Sequence, residues 1–210
     1  MERTGLGENS PYEVIPLLVT LPDINLPIYT IFLKRKDKKL PYLIVGTQGD
    51  LDPRNGILRG TLEATAIIFM HMFNALYDPE KIEYSNTKSV FADLDTNVLY
   101  YGVPDKIEEL DVLLDSMIGE TIKLSEIESP CTSKDIDSQL SYLIKEVSKI
   151  SEYAVYLDIT PPETIDQGWS VMRVFIPELC AMCLPGFPFE KHPRFKKYGG
   201  VVNDYPHPLP

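Results

Sequence analysis

Two stretches near the start of the chain show the residue patterns of β-strands. Residues 27–35 alternate between two sets of side chains, and residues 41–46 form a second apolar run. The charged residues 36–39 between them suit the tip of a hairpin. Residues 1–26 contain several prolines and glycines and predict an irregular segment ahead of the hairpin. One face of the first strand would carry Ile28, Thr30 and Phe32, and the other Tyr29, Ile31 and Leu33.

A long helix is predicted after the hairpin. Asp52 is a suitable N-cap, and Pro53 suits the first helical position because its missing N–H needs no partner there. Apolar residues then recur at helical spacing as far as Tyr77. This apolar stripe comprises Leu58, Leu62, Ile68 or Phe69, Phe73 and Leu76.

The rest of the chain predicts two more helices and two more strands. The helices cover about 105–118 and 133–151, and the strands cover 154–159 and 171–176. The second of these helices would place on one stripe Ile136, Leu140, Leu143, Ile144 and Val147. This order of elements favours an α+β fold, in which a mixed or antiparallel sheet is covered by helices on at least one side. We expect a single domain over 27–210 that ends in an extended proline-rich tail.

Composition and charge indicate a globular protein and argue against a nucleic-acid binder. The chain has 210 residues, of which 44% are hydrophobic and 24% charged, so a packed core is expected. The net charge of −11 argues against a nucleic-acid partner, because neutralising phosphates needs clustered Lys and Arg. The one dense basic run, 34–39, is predicted to be a solvated loop between strands.

Targeting signals and cysteine usage predict a cytoplasmic protein. No stretch approaches the ~20 apolar residues that a membrane-spanning helix needs, so no membrane partner is expected. The first residues are polar and lack the apolar core of a signal peptide. The three cysteines do not suggest a disulfide framework.

Common catalytic signatures are missing from the sequence. There is no Walker-type phosphate loop and no Gly-x-Ser-x-Gly motif. Cys180 and Cys183 form one Cys-x-x-Cys pair, and without a second pair they cannot close a structural zinc site. The three histidines, His71, His192 and His207, lie far apart in the sequence and lack metal-ligand spacing.

Two features nevertheless suggest chemistry. Arg59 and Glu63 lie four residues apart on the long helix and so share one of its faces. They form either a surface ion pair or part of a site. The second feature is the proline-rich segment 206–210, which must be extended and cannot donate regularly to a sheet. It is either a frayed tail or a stiff arm that holds the terminal carboxylate of Pro210 at a fixed place.

Five segments together resemble the YcaO family, in the order that the family has them. They are residues 51–64, 97–102, 157–163, 171–179 and the alternating prolines of 206–210. The first resembles the family's Asp-Pro helix with its Arg and Glu, and the fourth its Arg-bearing strand before a proline. The last resembles the Pro-x-Pro-x-Pro ending of the azoline-forming members. The chain is similar to the C-terminal half of such a protein.

The resemblance implies chemistry on backbone amides of a precursor peptide. YcaO proteins use ATP and Mg²⁺ to phosphorylate an amide oxygen after a nucleophile has attacked the carbonyl carbon. The nucleophile is a Cys, Ser or Thr side chain in azoline formation, sulfide in thioamide formation, or an amine in amidine formation. Phosphate is a far better leaving group than the amide oxygen, and ATP supplies this phosphate.

The resemblance also assigns roles to four residues. Glu63 would be a Mg²⁺ ligand, and Arg173 would contact the phosphates of ATP. Arg59 would orient either Glu63 or the nucleotide. The carboxylate of Pro210 would lie near the reacting amide.

Departures from the family pattern leave the activity of the isolated chain open. The family's first half carries a Ser-x-x-Glu-x-x-Glu-Arg helix with further Mg²⁺ ligands, which this sequence lacks. The family often has an amide or carboxylate three residues after the Glu, where this chain has Ala66. Either another polypeptide or a homodimer mate completes the site, or the chain is a non-catalytic subunit that docks a precursor peptide or partner enzyme. An unrelated α+β protein with coincidental matches is the third alternative.

Overall fold

The computed structural model describes residues 6–7, 9–85, 94–179, 191–200 and 205–209. The strands are β1 (Tyr12–Leu18), β2 (Ile28–Arg35), β3 (Leu43–Gly49), β4 (Val155–Asp158) and β5 (Met172–Phe175). The helices are α1 (Pro53–Tyr77), α2 (Pro79–Ser85), α3 (Leu94–Gly102), α4 (Ile107–Met117), α5 (Ile136–Val147), α6 (Pro162–Ile165) and α7 (Pro193–Lys197). Two of the sequence predictions, Cys180 with Cys183 and the carboxylate of Pro210, lie outside the described residues.

The strands form two separate antiparallel sheets. The first has the order β1-β2-β3, and the second consists of β4 and β5. In the first sheet Phe32 of β2 lies opposite Val45 of β3, as expected for the predicted hairpin. Together with the helices, these sheets confirm the predicted α+β fold.

Strand β1 corrects one prediction. Residues 1–26 were expected to be irregular, but Tyr12–Leu18 pairs with β2 along its whole length, from Tyr12 opposite Arg35 to Leu18 opposite Tyr29. Pro16 lies inside this strand, and a proline is tolerated there because β1 is at the edge of the sheet. The division of the chain into domains stays a prediction.

Helix α1 packs on the sheet through its small residues rather than through its large apolar ones. Its buried residues include Gly56, Gly60 and Ala64. A Cβ added to Gly60 would come within 2.8 Å of Ile31 Cγ1, so the helix lies very close to β2. Most of the predicted apolar stripe faces outwards instead, and its exposed members include Leu62, Phe69, Phe73 and Leu76. The large side chains face away from the sheet because the close approach of helix and sheet leaves no room for them.

The two faces of the sheet belong to two different apolar clusters. On one face Tyr29, Ile31 and Leu33 pack with Ala64 and Ile67 of α1. The other face is covered by α4, where the cluster contains Phe32, Leu43, Val45, Leu110, Leu114, Tyr100 and Tyr101. The alternation predicted for β2 is thus confirmed, and both faces of the first sheet are covered.

His71 belongs to this core. Its side chain is buried on α1, and its Nδ1 lies 3.2 Å from the carbonyl oxygen of Ile67. Burial lowers its pKa to about 4, so the imidazole is neutral near pH 7. Gly102 of α3 leaves space for the ring, since a Cβ there would lie 2.4 Å from His71 Cδ2. The His71 side chain therefore packs between α1 and α3.

Helix α5 is tied to the loop before β2 by polar contacts. Tyr142 of α5 donates to the carbonyl of Asn25 at 3.0 Å, and Glu146 accepts from the N–H of Asn25 at 3.0 Å. The opposite, apolar stripe of α5 is exposed at Ile136, Leu140 and Ile144. Every residue of β4 and β5 is also exposed. Over the ranges described above, no helix combines the length and the hydropathy that crossing a membrane would require.

Candidate functional site

The junction between β3 and α1 is built as the sequence predicts. The Asp52 side chain caps the helix by accepting from the N–H of Arg54 at 2.9 Å, and Pro53 begins the first turn. Asp50, two residues earlier in the loop, accepts from the N–H of Asp52 at 2.9 Å. These bonds fix the direction in which α1 leaves the sheet, and with it the positions of Arg59 and Glu63.

Glu63 lies on the exposed side of α1 next to β3. Its Oε2 accepts a hydrogen bond from the backbone N–H of Thr47 at 2.6 Å. Because β3 is an edge strand, this N–H points away from β2 and has no strand partner. Glu63 therefore closes the open edge of the sheet with one carboxylate oxygen, and its side chain stays accessible from outside.

Arg59 pairs with Asp50, and the ion pair with Glu63 that the spacing allowed does not form. The guanidinium Nη1 lies 3.4 Å from Asp50 Oδ2, and the Arg59 side chain is 61% exposed. Such an exposed ion pair contributes about 0–1 kcal/mol. Arg59 is thus held beside the N-terminus of α1, on the same side as Glu63.

The fit of this junction to a bound metal ion is partial. Glu63 supplies a carboxylate, which suits Mg²⁺, and Ala66 supplies no donor. Within the described part of the chain, no group of three or more His, Cys, Asp or Glu side chains is placed to hold a metal ion. The junction could contribute one ligand to a metal that other groups also bind.

Arg173 lies on the second sheet, whereas Arg59 and Glu63 lie on α1 beside the first sheet. It is exposed on β5 and lies opposite Leu157 of β4, so the two side chains share one face. The same face carries Val155 opposite Phe175, both more than half exposed. Arg59 and Glu63 therefore share one face of α1 without an ion pair between them, and Arg173 lies on an exposed apolar surface.

The Asp-hydroxyl-Pro segment at the end of β4 forms a closed hydrogen-bonded turn. Asp158 Oδ1 accepts from the N–H of Thr160 at 2.9 Å and from its hydroxyl at 2.5 Å. The hydrogen bond from the Thr160 hydroxyl lowers the pKa of Asp158. The same hydroxyl oxygen accepts from the N–H of Val171 at 2.9 Å, which ties the two strands together beside Arg173.

The tail segment, defined here as residues 205–209, is docked rather than frayed. Asn97 Nδ2 donates to the carbonyl oxygens of His207 and of Leu209, the latter at 3.1 Å. The hydroxyl of Tyr101 donates to the carbonyl of Pro206. Leu209 packs against the apolar cluster under α4. Sequence reasoning placed Asn97 in a family-like segment but gave it no role, because a contact across more than a hundred residues leaves no local pattern.

The tyrosines around the tail segment keep their protons. Burial raises the pKa of both Tyr100 and Tyr101, so both side chains are neutral at physiological pH. The Tyr101 hydroxyl therefore remains a hydrogen-bond donor over the physiological pH range.

A cavity of about 480 Å³ has a different set of lining residues. It is lined in part by Asp23, Glu178, His192 and Arg194. Arg194 binds Asp23 through two nitrogens at 2.8 and 2.9 Å, and Lys197 contacts the same carboxylate at 2.7 Å. Hydrogen bonds from Lys197 and Arg194 hold the pKa of Asp23 well below its usual range. The basic residues here tie α7 to the loop before β2.

Comparisons with known proteins give one family. No curated protein matches the chain. The model of a family described as "YcaO cyclodehydratase, ATP- and Mg²⁺-binding" matches residues 5–180 of the 210. This match confirms the resemblance drawn from the five segments, and with it ATP and Mg²⁺ as the cofactors that the family binds. The matched region contains Arg59, Glu63 and Arg173, and the chain belongs to the YcaO family.

Proposed function

We propose that this chain is a subunit of an ATP-dependent enzyme that modifies backbone amides of a precursor peptide, and that a second polypeptide completes its site. The general kind of function follows from the family, whose model is an ATP- and Mg²⁺-binding cyclodehydratase. The observation that carries the subunit role is the incomplete site. Glu63 and Arg173 both lie on exposed surfaces of different elements. Among the described residues, no group of three or more His, Cys, Asp or Glu side chains could hold a metal ion.

In this proposal each matched residue contributes one part of the site. Glu63 supplies a carboxylate for the metal, and Arg173 supplies positive charge for the phosphates. Arg59, held by Asp50, orients Glu63 or the nucleotide. Pro210 lies outside the described residues, and its role near the reacting amide stays a prediction. When bound, ATP supplies the phosphoryl group that turns the amide oxygen into a leaving group.

Exposed apolar side chains support the second polypeptide. A two-stranded hairpin is marginally stable in water unless something covers it. Here β4 and β5 expose apolar residues on both faces, and α1 and α5 expose further ones. The exposed side chains on these four elements include Leu157, Val174, Phe175, Phe69, Phe73, Leu76, Ile136, Leu140 and Ile144. Monomers rarely leave so much apolar surface in contact with water.

The occupant of this surface is, in our proposal, a chain that carries the family's Glu-x-x-Glu-Arg helix. A second copy of residues 1–210 would cover the same apolar residues, but these residues contain no Ser-x-x-Glu-x-x-Glu-Arg segment. The missing ligands therefore favour a different polypeptide over a second copy.

The second candidate function is a non-catalytic YcaO-like subunit that docks a precursor peptide or a partner enzyme. Two observations favour it. The Glu63 carboxylate already has a structural use, closing the edge of β3 through Thr47. Ala66 also lacks the donor that the family often has at that position.

The assembly and the activity can be tested together. We expect the chain to form a stable heteromer with a polypeptide that carries the Glu-x-x-Glu-Arg helix, or failing that a homodimer, with an interface above ~1,000 Å². Sedimentation velocity should show this, and the heteromer, given ATP and Mg²⁺, should change the mass of the precursor peptide. The chain alone should not. A cooperatively folded monomer at micromolar concentration would count against the partner, and a heteromer that binds the peptide without altering its mass would favour the docking subunit.

A further inference from the structure

We propose that helix α3 is a docking site for the tail segment, residues 205–209, in which Asn97 and Tyr101 are positioning residues that fix the path of the segment. The docking is supported by contacts within the structure. A role of this docking in catalysis rests on the proposed function, because the path of the tail segment affects a reacting group only if the chain takes part in the reaction.

Asn97 is suited to hold two carbonyl groups at once. Its side chain is 0% exposed, and Nδ2 donates to the carbonyls of His207 and Leu209. A side-chain amide nitrogen carries two hydrogens, so both are used on the tail segment. The orientation of the amide is also determined, because its oxygen could not face two carbonyl oxygens without repulsion.

The tail segment can be recognised mainly through its carbonyl groups. Pro206 and Pro208 have no N–H, which prevents a regular ladder of strand hydrogen bonds. The N–H of Leu209 is used locally, by the ring Nδ1 of His207 at 3.2 Å. A site for such a segment must offer donors, and α3 offers the Asn97 amide and the Tyr101 hydroxyl.

Apolar contacts at both ends set the register of the segment. Tyr205 lies against Tyr100, with ring centroids 6.4 Å apart, and it belongs to the same cluster as Leu209. Leu110 and Leu114 of α4 are buried members of that cluster. Three held carbonyls and two packed side chains therefore act on a segment of five residues, which leaves it little freedom to slide.

The test uses a proline-specific endopeptidase on the folded, full-length chain. Cleavage after Pro206 or Pro208 requires the segment to leave α3, and intact mass reports the site. We expect slow cleavage in the wild type and about tenfold faster cleavage in Asn97→Asp, which replaces both donors by acceptors. Tyr101→Phe removes one donor and keeps the ring, and we expect about a threefold increase.

The matched control is Tyr142→Phe. It removes a hydroxyl that donates to the carbonyl of Asn25 at 3.0 Å, the same chemical change on α5. Cleavage of the tail segment in this variant should match the wild type. If Asn97→Asp does not fold, Tyr101→Phe carries the test. Equal cleavage of the wild type and Tyr101→Phe, at equal melting temperature, would overturn the docking.

Kinetic measurements on the active complex distinguish docking of the tail segment from a role of that docking in catalysis. If the path of the tail matters to the reaction, Tyr101→Phe should lower kcat for peptide modification while KM for ATP stays unchanged. Faster cleavage with an unchanged kcat would leave the docking in place and overturn the positioning role. Failure of the proposed function would give a different result. The wild-type complex would not modify the peptide, although its tail segment would still resist cleavage by the endopeptidase.

Discussion

Replacing Glu63 by glutamine is expected to lower peptide modification by the complete complex on the order of a hundredfold. The substitution removes the negative charge that a metal ligand needs. It keeps a side-chain oxygen that can accept from the N–H of Thr47, now at 2.6 Å from the carboxylate. The edge of β3 should therefore stay closed, and the free energy of unfolding should change by less than about 0.5 kcal/mol. Initial rates of mass change on the precursor peptide, measured beside a denaturant melt, check both expectations.

The control for Glu63→Gln is Glu108→Gln, the same change on the exposed side of α4. It should leave the rate unchanged and lower stability by no more than the ~0.3–1 kcal/mol that a negative charge in the first turn of a helix contributes. A Glu63→Gln complex with the wild-type rate would remove Glu63 from the metal site and favour the docking subunit. A variant that loses stability and activity together would show that closing the edge of β3 is the main role of Glu63.

Replacing Gly46 by alanine is expected to destabilise the chain by about 3 kcal/mol or more. A Cβ at this position would lie 2.3 Å from the carbonyl oxygen of Gly60 and 2.6 Å from the amide nitrogen of Ala64. Both atoms belong to the backbone of α1, so no side chain can turn away to make room. The helix would have to move off the sheet, which would also displace Glu63. Urea denaturation followed by circular dichroism measures the loss.

Gly49→Ala is the matched control on the same strand. A Cβ there would have its nearest described neighbour at 3.9 Å, the carbonyl oxygen of Pro27. Its stability should stay within about 0.5 kcal/mol of the wild type. Equal stabilities of the two variants would contradict the close packing of α1 on β3.

Local patterns predicted most of the secondary structure because its signals lie within a few residues. The N-cap Asp52, Pro53 and the helical periodicity up to Tyr77 predicted α1 with the bounds that the structure has. The alternation in β2 likewise placed its two faces correctly. Strand β1 was missed because Pro16 and its neighbours signal irregular backbone, and only the edge position of β1 makes that proline acceptable.

Packing faces and long-range contacts could not be predicted in the same way. The periodicity of α1 gave its bounds without showing which side meets the sheet, and the structure places Gly60 and Ala64 there. Close contact between a helix and a sheet favours small residues, a preference that a hydrophobicity pattern does not show. Asn97 was likewise not identified, because its partners His207 and Leu209 are more than a hundred residues away. The assignment of Glu63 and Arg173 rests on the family resemblance and stays a prediction.

Nucleotide binding with and without the partner tests the central proposal most directly. ATP with Mg²⁺ would be titrated by calorimetry into the isolated chain and into its complex with a polypeptide that carries the Glu-x-x-Glu-Arg helix. An incomplete site predicts weak binding to the chain alone and much tighter binding to the complex, with the gain lost in Glu63→Gln. Equal affinity in both samples would contradict the completion of the site by a second polypeptide, and no binding in either would contradict the catalytic role of this chain.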